Sequence, residues 1–249
     1  MCFDLDSSPP IPRIRGAAVS HHDLVLTSAD GTELAAFAAT PDEPKAAGVV
    51  VLPDVRGLYR FYEEVALRLA ERGYPALAID YFGRTAGAAK RGDDFEYMEH
   101  VRQTTSAQVQ ADVAAALEHL RPQAGALFTL GFCFGGRHSW LAAAAGPGLA
   151  GAIGFYGRPG VANDGTPGPT QRAAEIAAPI LALMGGDDEG IPAEAVAEFE
   201  AALEREGVEH EVVTYPGAPH SFFDRKQADF TEASEDAWGR VLAFIEQHS

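Results

Sequence analysis

The sequence predicts an α/β protein with a mostly parallel central sheet and helices on both faces. Three observations carry this. From about residue 48 to the end, strand-like runs alternate with helical segments. The runs are short and continuously apolar, as in strands buried on both sides. Ahead of them lies a hairpin pattern that supplies antiparallel strands at one edge.

The elements follow in order. Residues 1–19 read as an extended N-terminal tail, because Pro9, Pro10 and Pro12 block a helix. Residues 20–249 then form a single domain, with no repeat and no linker to divide them. "HDLVLTSADGTELAAFAAT" gives two strands around Asp30-Gly31. "AGVVVLPDV" is a valine-rich buried strand. "FYEEVALRLAERGY" is an amphipathic helix with Phe61, Val65, Leu67 and Leu69 on its apolar side and Gly73 as its stop. "PALAID" is a strand, "TTSAQVQADVAAALEHLRP" a helix ended by Pro122, and "ALFTLGF" a strand. "GGRHSWLAAAAG" is a helix, and "GAIGFYG" and "PILALMG" are strands. "PAEAVAEFEAALEREG", "EHEVVTYPG" and "DFTEASEDAWGRVLAFIEQHS" close the chain as helix, strand and helix. The long loop 157–174 follows a strand end and is expected at a pocket rim.

Composition narrows the function. The formal charge of −17, from 19 basic and 36 acidic residues in 249, repels phosphate backbones and anionic membranes, so no nucleic-acid partner is expected. No run reaches the ~18 apolar residues of a membrane span, and the N-terminus lacks a basic region followed by an apolar one. A cytoplasmic protein is the expectation, as a monomer or small homo-oligomer. With Cys2 and Cys133 as the only cysteines, neither a disulfide framework nor a thiolate zinc site is expected, and no other metal motif stands out.

Ligands of parallel sheets sit beyond the carboxyl ends of the strands. Three reactive groups fall there: Cys133 after "ALFTLGF", Asp187-Asp188 after "PILALMGG", and His220 after "EVVTYPGAP". "Gly-Phe-Cys-Phe-Gly" fits G-x-nucleophile-x-G, a strand-to-helix turn so sharp that residues two away must lack side chains. The helix N-terminus behind it stabilises a thiolate and an oxyanion. Nucleophile, acid and histidine run in the order used by α/β hydrolases. The alternative for Cys133 is a small buried hydrophobe, and for the aspartates a cap on the next helix.

These segments resemble the dienelactone hydrolases (carboxymethylenebutenolidases). "GFCFGG" is similar to the family's cysteine turn, "LMGGDDEGIP" to its acid loop, and "PHSFF" to its histidine loop. "VVVLPDVRGLYRFYEEVALRLAERGYPALAIDYFGR" and "EDAWGRVLAFIEQH" match further stretches, so the resemblance spans about residues 22–247. It implies an α/β-hydrolase fold. It also implies a cofactor-free, cysteine-dependent hydrolase of small esters or enol-lactones, working through an acyl-enzyme. The family's aspartate stands four residues before a proline, which selects Asp188 over Asp187. The resemblance places the oxyanion donors at the N–H groups of Phe134 and Val55. Asp54 stands where well-known members carry a glutamate that interacts with the resting cysteine; its alternative is a cap on the following helix. Arg56 and Tyr59 share that loop. Arg84, Arg91 and Arg225 are the candidates to bind a substrate carboxylate. Two rival functions are a general carboxylesterase or thioesterase of the same fold, and a non-catalytic binding or redox-sensing protein that keeps the thiol.

Overall fold

The apolar runs fold as the strands of one sheet in the computed structural model, which describes residues 8–92, 94–146, 148–223 and 228–249. Strands β1 (Val19–Thr27) and β2 (Glu33–Pro41) form the hairpin, followed by β3 (Ala47–Leu52) and β4 (Ala76–Ile79). β5 (Ala126–Phe132), β6 (Gly151–Phe155), β7 (Ile180–Gly185) and β8 (His210–Tyr215) complete the set. The order across the sheet is β1-β2-β4-β3-β5-β6-β7-β8. β1–β2 and β2–β4 pair antiparallel, and every later pair is parallel.

Alternation along the strands splits the core into two layers. Val49 and Val51 face one way, with Phe128, Leu130, Ile153 and Leu181. Against them pack α1 (Arg60–Ala70), through Phe61, Val65 and Leu69, and the C-terminal helix Thr231–Gln247, through Trp238, Val241 and Ile245. Val50 and Leu52 face the other way, with Leu77, Leu127, Ala152 and Ile180. The helices Ser106–Leu120, Phe134–Ala144 and Ala193–Arg205 pack on that side. The first of them opens with a reciprocal cap between Thr105 and Gln108, which satisfies two orphan N–H groups.

Two departures are local. Leu67 leaves the buried stripe of α1: it lies well round the helix from Phe61, Val65 and Leu69, and Arg68 is buried in its stead between Glu64 and Glu71. The segment 83–103, to which the sequence assigned no element, contains two short helices, α2 (Gly83–Ala86) and α3 (Tyr97–Gln103). The remaining helices in chain order are thus α4 (Ser106–Leu120), α5 (Phe134–Ala144), α6 (Ala193–Arg205) and α7 (Thr231–Gln247). Ahead of β1, Ile11 is buried in the α1 layer, Arg13 pairs with Glu64, and the Ile14 N–H donates to Glu71. Among the described residues, no helix is long and apolar enough to cross a membrane.

Candidate active site

Cys133 sits between β5 and α5 with φ 54° and ψ −111°, a conformation costing about 1–3 kcal/mol in a residue with a side chain. The flanking glycines make that turn possible. A Cβ on Gly131 would collide with the Gly135 carbonyl, and one on Gly135 with the carbonyls of Leu52 and Pro53. Strand and helix therefore approach closely enough to hold the cysteine at the crest, half-buried, its N–H donating to the Phe155 carbonyl at 2.9 Å. The Phe134 N–H is the first donor of α5, where helical bonding leaves an N–H unsatisfied.

The other two groups meet from the ends of β7 and β8. His220 Nδ1 lies 2.6 Å from Asp188 Oδ2, and the Asp188 carboxylate is 1% exposed against 29% for the imidazole. Asp188 Oδ1 accepts the Gly190 N–H at 2.9 Å, so both its oxygens are engaged. The carboxylate at the imidazole is that of Asp188; Asp187 is exposed. Asp188 does not cap α6, whose N-cap is Pro192. With Nδ1–H as the donor to Asp188, Nε2 is the ring's acceptor nitrogen.

Sequence reasoning passed over Tyr156, at the end of β6. It is fully buried with φ 37°, and its ring centre lies 4.9 Å from that of His220. Its neighbour Phe155 accepts the Cys133 N–H, so one short segment touches both the cysteine backbone and the imidazole. The available signal was an aromatic side chain at the carboxyl end of a central parallel strand. Arg137 was passed over too. Its guanidinium, on the first turns of α5, donates to the carbonyls of Arg158, Gly160, Thr166 and Pro167, pinning the long loop after β6 to the cysteine helix.

The loop after β3 closes the site from the other side. Asp54 is fully buried; its N–H donates to the Tyr62 phenol oxygen at 2.9 Å, and its Oδ1 accepts the Arg56 N–H at 2.9 Å. It does not cap α1, whose N-cap is Tyr59. The Gly57 N–H bonds the Asp54 carbonyl, and the Leu58 N–H bonds Asp80. The N–H groups of residues 54, 56, 57 and 58 are thereby spent, and that of Val55 has no acceptor among the described residues. Tyr81 lies under this loop, donating to the Pro53 carbonyl at 2.9 Å. Burial, and then the charges of Asp54, Asp80, Asp112 and Cys133, push its phenol well above the ordinary tyrosine range.

The arginines separate by partner. Arg84 forks onto Asp112 at 2.8 and 2.9 Å and also reaches Asp30, tying the hairpin turn to α4; Ser28 bonds the same Asp112 carboxylate. Arg91 is buried against Asp80. Both charges are paired with aspartates of the scaffold. Arg56 donates to the Tyr59 hydroxyl at 3.1 Å and lies over the Tyr97 ring at 5.9 Å, partly exposed at the loop. Arg225 and Cys2 lie outside the described residues.

The family model for the dienelactone hydrolase family matches residues 34–249. A candidate carboxymethylenebutenolidase of Yersinia pestis is 31% identical over 229 residues, 88% of this chain and 85% of that protein. One from Saccharolobus solfataricus is 31% identical over 262 residues, 90% of this chain and 98% of its own. A crystal structure of a candidate dienelactone hydrolase from Klebsiella pneumoniae superposes with a TM-score of 0.79 at 30% identity, covering 92% of this chain and 99% of that one. With this sheet order and this cluster at its carboxyl edge, the chain belongs to the dienelactone hydrolase family and has the α/β-hydrolase fold.

Proposed function

We propose that this carboxylic ester hydrolase cleaves small esters or enol-lactones through a Cys133–His220–Asp188 triad and a thioester intermediate. The observation that carries the reading is the 2.6 Å contact between His220 Nδ1 and the buried Asp188 carboxylate, two strands along the carboxyl edge from a cysteine strained at the crest of its turn. Asp188 fixes the tautomer, and Nε2 takes the thiol proton. The sulfur attacks the acyl carbon, and the carbonyl electron pair moves onto oxygen, where the N–H groups of Phe134 and Val55 receive it. Collapse expels the alkoxide or enolate, which takes the proton from Nε2. Water, deprotonated by the same nitrogen, then attacks the thioester and returns the sulfur.

A cysteine suits this substrate class. A thiolate forms more readily than an alkoxide, yet it leaves more readily than an amide nitrogen, so cysteine suits activated esters and offers no advantage with amides. Arg56, backed by Tyr59 and Tyr97, is the anion contact of the pocket in this reading. Asp54 acts on the resting thiol through the loop it shares with Val55.

The test is hydrolysis of cis- and trans-dienelactone beside p-nitrophenyl acetate, with wild type and Cys133→Ala. Dienelactone turnover that vanishes in the variant is the expected result. Aryl-ester turnover alone would keep the mechanism and remove the lactone substrate, leaving a general esterase. Turnover unchanged in Cys133→Ala would sink the triad.

A further inference from the structure

We infer that the buried Asp80–Arg91 pair is a positioning device that aims the Val55 N–H at the reacting oxygen. This rests on the proposed role of Val55 and goes beyond it. Asp80, fully buried at the end of β4, binds the turn directly: its Oδ1 accepts the Leu58 N–H at 3.1 Å, and its Oδ2 accepts the Phe82 N–H at 2.7 Å. Arg91 completes the grip from a different segment. Its Nε and NH2 groups reach the two Asp80 oxygens at 3.2 and 2.7 Å, and its own backbone N–H donates to the Leu58 carbonyl at 2.8 Å. Leu58 is thus held through both its N–H and its carbonyl by one ion pair. Gly57 records how close the fit is: its φ is 82°, and a Cβ there would strike Asp80 Oδ1 and crowd Arg91 and Phe82.

Arg91 also reports on the segment above the loop. Its NH2 donates to the Gly87 carbonyl at 2.7 Å, and its guanidinium lies 4.7 Å from the centre of the Phe95 ring. Asp80, Gly87 and Phe95 therefore share one guanidinium, and the backbone N–H of the same arginine holds Leu58 of the 54–58 turn. An oxyanion donor acts only where its N–H already points, and a misplacement of about 1 Å costs up to about a hundredfold in rate. With the other turn N–H groups consumed by fixed partners, the direction of the Val55 N–H is set by how Leu58 and Gly57 are held.

The experiment compares Arg91→Lys, which keeps the charge and loses the fork, with Arg91→Met, which loses both. Both are made in a Cys2→Ser background, so that iodoacetamide titrates Cys133 alone. Turnover of p-nitrophenyl acetate is expressed per titrated thiol, beside the rate of alkylation. Displacement of iodide from a saturated carbon raises no charge on an acyl oxygen, so alkylation senses the thiol and His220 but not the oxyanion donors. The expected result is kcat lower by about tenfold in Arg91→Lys and up to about a hundredfold in Arg91→Met, with KM and alkylation within about twofold. Alkylation that falls in step with kcat, or kcat within about twofold of wild type, overturns the inference. Arg91→Lys decides alone if Arg91→Met does not fold. Activity retained by Cys133→Ala would overturn the triad instead, whatever the Arg91 variants do.

Discussion

Asp80 and Asp188 are both buried aspartates just beyond the carboxyl end of a parallel strand, and they do different work. Asp80 is saturated: two backbone N–H groups and a guanidinium that is itself buried occupy its oxygens. Asp188 keeps one oxygen for structure, at the Gly190 N–H, and gives the other to an imidazole that is 29% exposed. Residue type, burial and position in the sheet do not separate scaffold from chemistry here. What separates them is whether the partner's charge is permanent and enclosed, or titratable and open to solvent.

The widest gap should open when each carboxylate becomes an amide. Asp188→Asn keeps shape and burial but lets the imidazole take the wrong tautomer, so kcat should fall by about 10³–10⁴-fold. Its unfolding free energy should move by about 1 kcal/mol or less, because the exposed partner can turn to water. Steady-state kinetics beside urea denaturation reads both, and a loss of stability as large as the loss of rate would place Asp188 with the scaffold.

Asp80→Asn should behave the other way round. It leaves the Arg91 guanidinium buried without its counter-charge, which costs about 3 kcal/mol of stability. The rate per folded molecule should fall less than in Asp188→Asn, because the triad contacts stay in place. Urea midpoints close to wild type would erase the distinction between the two aspartates.

The same distinction explains what the sequence made legible. The central strand β3 was readable because burial on both faces leaves no polar position in it: Val49, Val50, Val51 and Leu52 are all fully buried, on alternating sides. The positions of Cys133, Asp188 and His220 were readable because each follows the carboxyl end of a parallel strand, and the close approach at Gly131 and Gly135 leaves a local signature. The partners of the arginines were not. Arg84 is bound by Asp112, 28 residues on, and Arg91 by Asp80, 11 back, and both pairings exist only once the helices are docked. Helices α2 and α3, of four and seven residues, are too short for a period to emerge, and Tyr156 takes its place beside His220 from tertiary contact alone.

The histidines repeat the contrast on a smaller scale. His138 is five positions past Cys133 on α5, yet it is buried, with its ring 4.4 Å from that of Phe134 and its Nδ1 facing the Gln110 amide nitrogen at 3.3 Å. That amide also donates to the His138 carbonyl at 3.1 Å, so Nδ1 must accept, and a proton there would set donor against donor. Burial, and then the charge of Arg137, hold the imidazole down at about 3, against 6.5 in the unfolded chain. A base whose folded pKa is depressed contributes stability fully above the unfolded value and loses it as the pH falls toward the folded one. Between pH 7 and 4.5 this group alone should remove roughly 2–3 kcal/mol, since the unfolded chain binds a proton that the folded one refuses. His138→Gln should flatten the acid limb by that amount, read as the difference between urea unfolding energies of the two proteins at the two pH values. Parallel acid limbs would show that His138 takes up its proton in the folded state, and that closeness to the nucleophile in sequence had, after all, left it open to solvent.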